Sequence, residues 1–169
     1  DLLRSGGTIL WIGARIQTKD MIKKTALELG MPYVSGRWIG GLFTNNKVIK
    51  ERLKYFQDLE EKFNKGELSK YTKREQLSFE RQLKKMESEM GGVKNLQTLP
   101  KAIFVTDVAE ERYAILEARK MGIKVIGITD TSADPSFVDY PIPANNDSLA
   151  SLGLILDSIK KELLPFSKK

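Results

Sequence analysis

The chain is 169 residues long, with 28 Lys and Arg against 22 Asp and Glu, a formal net charge of +6 and a pI near 9.4. It has no cysteine and no histidine, which removes disulfides, thiolate zinc sites, thiol nucleophiles and every Ser-His or Cys-His dyad. Hydrophobic residues make up 41% of the chain, enough for a real core, and the basic balance favours an anionic partner such as nucleic acid, a phosphorylated ligand or an anionic membrane surface.

The start, Asp1-Leu2-Leu3-Arg4-Ser5-Gly6-Gly7, has no apolar signal region. It reads as the last turn of a helix with its C-cap, so a preceding N-terminal piece is expected. Thr8 to Ile12 is a short apolar, β-branched run ending at Gly13, which suits a strand buried on both faces. Thr18 or Asp20 can cap a helix running to Leu29, with Met21, Ile22, Thr25, Ala26 and Leu29 at helical spacing and Gly30 as its cap. Met31-Pro32 blocks further helix, and Tyr33-Val34 is a candidate second strand.

Next comes Gly36-Arg37-Trp38-Ile39-Gly40-Gly41-Leu42-Phe43-Thr44-Asn45-Asn46-Lys47, a junction rich in glycine with one tryptophan and one arginine. Asn45 to Asn64 then carries an apolar stripe of Ile49, Leu53, Phe56, Leu59 and Phe63 on an otherwise charged helix. Thr72 with Glu75 is a capping box, and it opens a second amphipathic helix through Phe79, Leu83, Met86 and Met90 that Gly91-Gly92 ends. The two helices predict an antiparallel hairpin too polar for a globule's interior, projecting as an arm; the competing reading packs both on the sheet surface.

The α/β rhythm returns at Ala102 to Thr106, a strand ending at Asp107. A helix from Glu110 to Met121 is predicted to turn Tyr113, Ile115, Leu116 and Ala118 inward, with Gly122 as its cap. Lys124 to Ile128 is the next strand, and Asp139-Tyr140-Pro141-Ile142-Pro143 is confined to an edge by its prolines. Asn145-Asn146-Asp147-Ser148 opens a last helix with Leu149, Leu152, Ile155, Leu156, Ile159 and Leu163 on one face; Pro165 ends it and 167–169 read as a fraying tail. Alternation of this kind implies a parallel, doubly wound sheet with helices on both faces.

Open parallel sheets bind ligands at the carboxyl ends of their strands. Gly13-Ala14-Arg15, Asp107, Thr129-Asp130-Thr131 and Asn145 to Ser148 fall there, so a nucleotide or sugar-phosphate enzyme built on Asp107, Asp130 and Asp147 is one reading. Neither G-x-G-x-x-G nor G-x-x-x-x-G-K-[ST] occurs, and Asp and Asn at strand ends are also ordinary turn residues. Basic residues are the stronger lead, because Arg15, Lys19, Arg37, Lys47, Lys50 and Arg52 gather around the first helix, the junction and the arm base. A charged helix face is also often simply solvated, and the arm can instead be an oligomerising coiled coil. Trp38 suits either a core anchor that fixes the arm's angle or a base-stacking platform.

Arg37-Trp38-Ile39-Gly40-Gly41 followed by Thr44-Asn45 resembles the RW-x-GG-x-x-TN signature of the second protein of the bacterial small ribosomal subunit. Pro100 to Asp107, Glu117 and Gly122-Ile123 resemble that family's second signature, and Asp130-Thr131, Asp134-Pro135, Asp139 to Pro143 and Asn146-Asp147 match it in order. Here Ala14-Arg15-Ile16 stands where the family often has Thr-Lys-Lys, and Lys124 where proline or alanine is usual. The resemblance implies a flavodoxin-like three-layer α/β/α core over 1–44 and 95–169, with an antiparallel coiled-coil hairpin inserted at 45–94. It implies no catalysis, no cofactor and no metal. It further implies binding of small-subunit rRNA, contact with neighbouring ribosomal proteins including ribosomal protein one, and a place on a cytoplasmic or organellar ribosome, away from membranes and not as a homo-oligomer. On this footing the rRNA contacts are expected at Arg15, Lys19, Arg37, Asn45, Lys47, Lys50, Arg52 and Lys94, and the structural junction at Gly36, Trp38, Gly40, Gly41 and Thr44.

Overall fold

A computed structural model describes residues 2–4 and 6–166. Five strands, β1 (Ile9–Ile12), β2 (Tyr33–Val34), β3 (Ala102–Val105), β4 (Lys124–Thr129) and β5 (Tyr140–Pro143), form one sheet in the order β2-β1-β3-β4-β5 with every pairing parallel. This is the 2-1-3-4-5 order of flavodoxin-like sheets. The helices described are α1 (Lys19–Glu28), α2 (Asn46–Asn64), α3 (Lys73–Met90), α4 (Arg112–Lys120) and α5 (Leu149–Leu163).

The strands are buried on both faces, and their two-residue period divides the core in two. Ile9 and Trp11 of β1 face α1 and α5 together with Ala102, Phe104 and Ile128. Leu10 and Ile12 face the other way, with Ile103, Val105 and Val125, onto Ala114, Ile115 and Ala118 of α4 and onto residues of α2 and α3. The register Trp11↔Phe104 sets those rings 4.7 Å apart across neighbouring strands. The layers are therefore helix, sheet, helix.

β5 lies at an edge as its prolines require. The Ala144 N–H donates to Thr129 O, so by alternation within β5 the Tyr140 and Ile142 amides face β4. Pro141 and Pro143 then stand where an amide would point off the open edge, leaving that edge without donors for another strand. At the other end of the chain, Gly6, at φ 76°, donates its N–H to Leu3 O, and Gly7 donates to Leu2 O, both at 3.0 Å. That pair of bonds has the pattern of a helix C-cap, while residues 2–4 themselves form a turn. Residues 167–169, expected to fray, lie outside the described residues.

Several details depart from the sequence reading. Thr18 precedes α1 but does not cap it with its side chain; its hydroxyl donates to Arg15 O. Gly91 is right-handed at φ −57°, so α3 ends in a 3-10 turn over Gly91–Val93 rather than in a left-handed cap. Glycine is needed at position 92 for a different reason, because a Cβ there would run into the Tyr33 carbonyl of β2. Leu149 and Phe63 are exposed instead of buried. Helix α4 is rotated from its expected phase. Its inward residues are Ala114, Ile115 and Ala118, with Glu111 buried just before its first turn, while Tyr113 and Leu116 point outward, at 76% and 45% exposure.

Helices α2 and α3 pack against each other, with the Tyr55 hydroxyl on Gln82 Oε1 and Arg52 facing Glu89. The Thr72–Glu75 capping box is present in full. Ile49, Leu53 and Phe56 of α2, with Met86 and Met90 of α3, share the cluster that lies against the sheet. Phe63, Tyr71 and Leu77 at the far turn stay exposed.

Candidate nucleic-acid interface

The junction between β2 and α2 is drawn together by one carboxylate from the opposite side of the fold. Glu117 sits midway along α4, 76 residues from Gly41, and its Oε1 accepts the Gly41 N–H at 2.6 Å and the Trp38 indole N–H at 3.1 Å. Its Oε2 accepts the Phe43 N–H at 3.2 Å, the Thr44 N–H at 3.4 Å and the Thr44 hydroxyl at 3.3 Å. These amides precede α2 and have no helical partner of their own, so a carboxylate there does the work of a cap. Burial alone would raise the Glu117 pKa, but the donors from Gly41, Trp38, Phe43 and Thr44 outweigh it and hold the group below the usual carboxylate range.

Local backbone completes the lock. Gly41 is left-handed at φ 85°, which lets the chain reverse so that the Asn45 N–H reaches Gly41 O at 2.7 Å. Ile39, Leu42 and Phe43 are buried, and the Trp38 ring meets Phe43 edge-on at 5.1 Å while packing on the core. Gly36 and Gly40 have right-handed or extended backbone and open space for a Cβ at position 40. Nothing in the fold requires glycine at position 40.

The basic residues divide into two sets. Arg37, Lys47, Lys50 and Lys19 are exposed and make no ion pair among the described residues. Asn45 is exposed beside them and makes no side-chain cap to α2. The others are occupied. Arg15 bridges Asp107 and Asp147, both at 2.6 Å, Arg52 faces Glu89 at 3.8 Å, and Lys94 pairs with Glu60 while lying over the Phe56 ring at 5.2 Å.

At the carboxyl ends of the strands, the acidic residues are engaged in holding loops. Asp107 Oδ1 accepts the Ala109 and Glu110 amides, and its Oδ2 meets Arg15 and the Asn146 side-chain amide. Asp130 accepts the amide and hydroxyl of Ser132. Glu111, 2% exposed, accepts the Ala14 N–H at 2.6 Å. Burial, with Asp107 and Glu110 nearby, pushes its pKa up to about 7 against the Ala14 hydrogen bond. Among the described residues no group of three or more carboxylates is placed to hold a metal ion. The crevice between β1 and β3, where such sheets change winding direction, is bridged by Arg15–Asp107 and Ala14–Glu111.

Glu117 is the residue whose role the sequence reading missed, since it entered only as a position in a signature. Its mid-helix carboxylate, flanked by an outward Leu116 and an inward Ala118, has no local sign of a buried task. The residues around it fit a wider pattern: a family model described as ribosomal protein S2 matches residues 1–164 of the chain.

Proposed function

The chain belongs to the ribosomal protein S2 family, and on that footing we propose that this structural ribosomal protein binds small-subunit rRNA through its junction and arm base. The observation that carries the reading is the set of unpaired cations, Arg37, Lys47 and Lys50, displayed on and just after the loop that Glu117 locks. Phosphates are recognised by cations held in register, and a cation without a carboxylate partner keeps its full charge for that purpose. Arg37 offers a bidentate fork, Lys47 and Lys50 point charges one helical turn further on, and Asn45 a neutral donor for a ribose or phosphate oxygen. Lys19 extends the surface at the start of α1. Arg15, Arg52 and Lys94 serve the fold, each tied to a carboxylate.

In this reading residues 45–94 are a coiled-coil arm inserted into a core formed by 1–44 and 95–169. The helix-to-helix contacts of α2 and α3 and the stripe of Ile49, Leu53 and Phe56 support it. The arm's root is anchored on the sheet, and its tip reaches other rRNA or neighbouring proteins, ribosomal protein one among them. The protein acts as one copy in the small subunit, without catalysis or cofactor, on the ribosome of a cytoplasm or an organelle. No helix of the described residues is long and apolar enough to cross a membrane.

Filter binding of the full chain to small-subunit rRNA over a salt series tests this. Affinity is expected to fall steeply with salt. The double variant Arg37→Ala, Lys47→Ala is expected to weaken binding about tenfold or more with an unchanged melting temperature. Salt-insensitive binding, or full affinity in the double variant, overturns it.

A further inference from the structure

We propose that the cleft between the junction and the outer face of α4 is a pocket for a single unstacked guanine base. The proposal rests on the rRNA reading above and says what that surface takes up besides phosphate. The cleft encloses about 660 Å³, room for a nucleotide, and is lined by Arg37, Trp38, Glu110, Tyr113, Leu116 and Glu117 among others.

Its composition is divided in a way that suits a nucleotide. Tyr113 is 76% exposed and its ring meets no other ring or cation among the described residues. An aromatic so placed costs hydration in the free protein and offers a bare π-face for stacking. Leu116, 45% exposed, continues the same apolar wall one helical turn on. Trp38 is not free to stack in this way, because its indole N–H is bound to Glu117 and its ring to Phe43.

Charge completes the match. Arg37 borders the cleft, exposed and unpaired, with Lys47 and Lys50 beyond it. The interior is acidic. Glu110 is exposed there, and its carboxylate makes no hydrogen bond among the described residues. A phosphate is drawn to the rim and repelled from the interior, whereas a neutral ring with paired N–H donors is welcome inside. Of the four bases, guanine alone presents two adjacent donors, N1–H and N2–H, matching the two oxygens of one carboxylate. Thus Tyr113 stacks the base, Glu110 reads its Watson–Crick edge and Arg37 holds the phosphate that follows it. A basic peptide is disfavoured by the same cationic rim.

The test is a titration of the full chain with two RNA hexamers, all-uridine and uridine with one central guanosine. Anisotropy reads affinity, and Trp38 emission reads occupancy of the cleft, since Trp11 is fully buried. The guanosine hexamer is expected to bind at least about fivefold tighter and to alter Trp38 emission. Tyr113→Ala is expected to abolish that preference and Tyr113→Phe to keep it. Glu110→Gln is expected to lose the preference for guanosine while retaining residual stacking. Both positions are exposed, and matching melting temperatures verify the fold. Equal affinity for the two hexamers, or an undiminished preference in Tyr113→Ala, overturns the pocket, and the α4 face is then left to a protein neighbour. If that happens while wild-type protein still binds small-subunit rRNA with steep salt dependence, the pocket alone falls. If the hexamer preference holds and rRNA binding fails, the rRNA reading falls instead.

Discussion

The carboxylate of Glu117 accepts the indole N–H of Trp38 at 3.1 Å across 79 residues of sequence, and in doing so fixes the chain that leads into α2 to the middle of α4. The same two oxygens take three backbone amides and a hydroxyl. Replacing Glu117 with Ala strands those donors in a partly buried site, and the expected cost is about 2–4 kcal/mol in urea unfolding. Glu117→Gln keeps an acceptor but loses the charge, with an expected cost of about 1–2 kcal/mol. The pKa of Glu117 is lower in the folded protein than in the unfolded chain. Its contribution is therefore present at neutral pH and lost as pH falls through the folded value, below the ordinary carboxylate range. Wild type is expected to lose its advantage over Glu117→Gln in that acid window. A constant difference down to the lowest pH at which the protein folds would remove the charge from the account.

The glycines of the chain separate by mechanism. Gly41 is left-handed, and a Cβ there would sit 3.1 Å from that of Asn45, so Gly41→Ala is expected to cost about 1–2 kcal/mol. Gly92 has an ordinary φ but abuts the Tyr33 carbonyl; Gly92→Ala has to push the 3-10 turn after α3 off β2 and is expected to cost about 2–3 kcal/mol. Gly40 meets nothing within 4 Å, and Gly40→Ala is expected to be neutral or slightly stabilising. Thermal melts of the three variants rank them. A Gly40→Ala variant as damaged as Gly92→Ala would refute the ranking.

Glu111 behaves opposite to Glu117. Its folded pKa is raised to about 7 from 4.5, with burial as the leading cause. The native state binds a proton that the unfolded chain has released, so stability falls as pH rises from about 4.5 to about 7 and then levels. Glu111→Gln keeps an acceptor for the Ala14 N–H without a charge to desolvate. It is expected to stabilise the protein by about 1–3 kcal/mol at pH 8, to be nearly neutral at pH 4.5, and to flatten the pH dependence between them. Equal effects at both pH values would show that Glu111 is charged throughout.

These three sites also show where sequence is transparent and where it is opaque. β1, β3 and β4 stand out as short β-branched runs because both of their faces are buried, and the prolines of β5 mark its edge. The stripe of α2 and the box of Thr72 and Glu75 are local signals, three or four residues long, and the structure repeats them. The phase of α4 is not a local matter. Hydrophobic spacing favours Tyr113 and Leu116 as inward residues, yet the buried face carries Glu111, whose desolvation is tolerated because Ala14 donates to it and its pKa shifts. In the same way Arg15 reads as a free cation until the fold brings Asp107 and Asp147 to it over 92 and 132 residues. Exposed cations such as Arg37 and Lys47 are legible as charges, but which of them lack a carboxylate partner is decided by tertiary contacts alone.

Arg15 and Lys47 therefore make a paired test of which cations serve the fold and which serve the partner. Asp107 is 2% exposed at its side chain, so removing Arg15 leaves a buried carboxylate short of its counter-charge, with only two amides and Asn146 to hold it. Arg15→Ala is expected to cost about 2–4 kcal/mol of stability, since breaking one side of a buried pair exceeds the pair's net worth. Once folded, that variant is expected to bind small-subunit rRNA with the wild-type salt slope. Lys47 is exposed and unpaired, so Lys47→Ala is expected to leave unfolding within about 0.5 kcal/mol of wild type. Its salt slope for rRNA, plotted as log affinity against log salt, is expected to be shallower by about one. Stability and salt slope thus move in opposite residues, which a uniform basic surface would not produce. If Arg15→Ala lowers the slope while leaving stability intact, Arg15 exchanges Asp107 and Asp147 for phosphate on binding, and the division of cations drawn above is wrong at that residue.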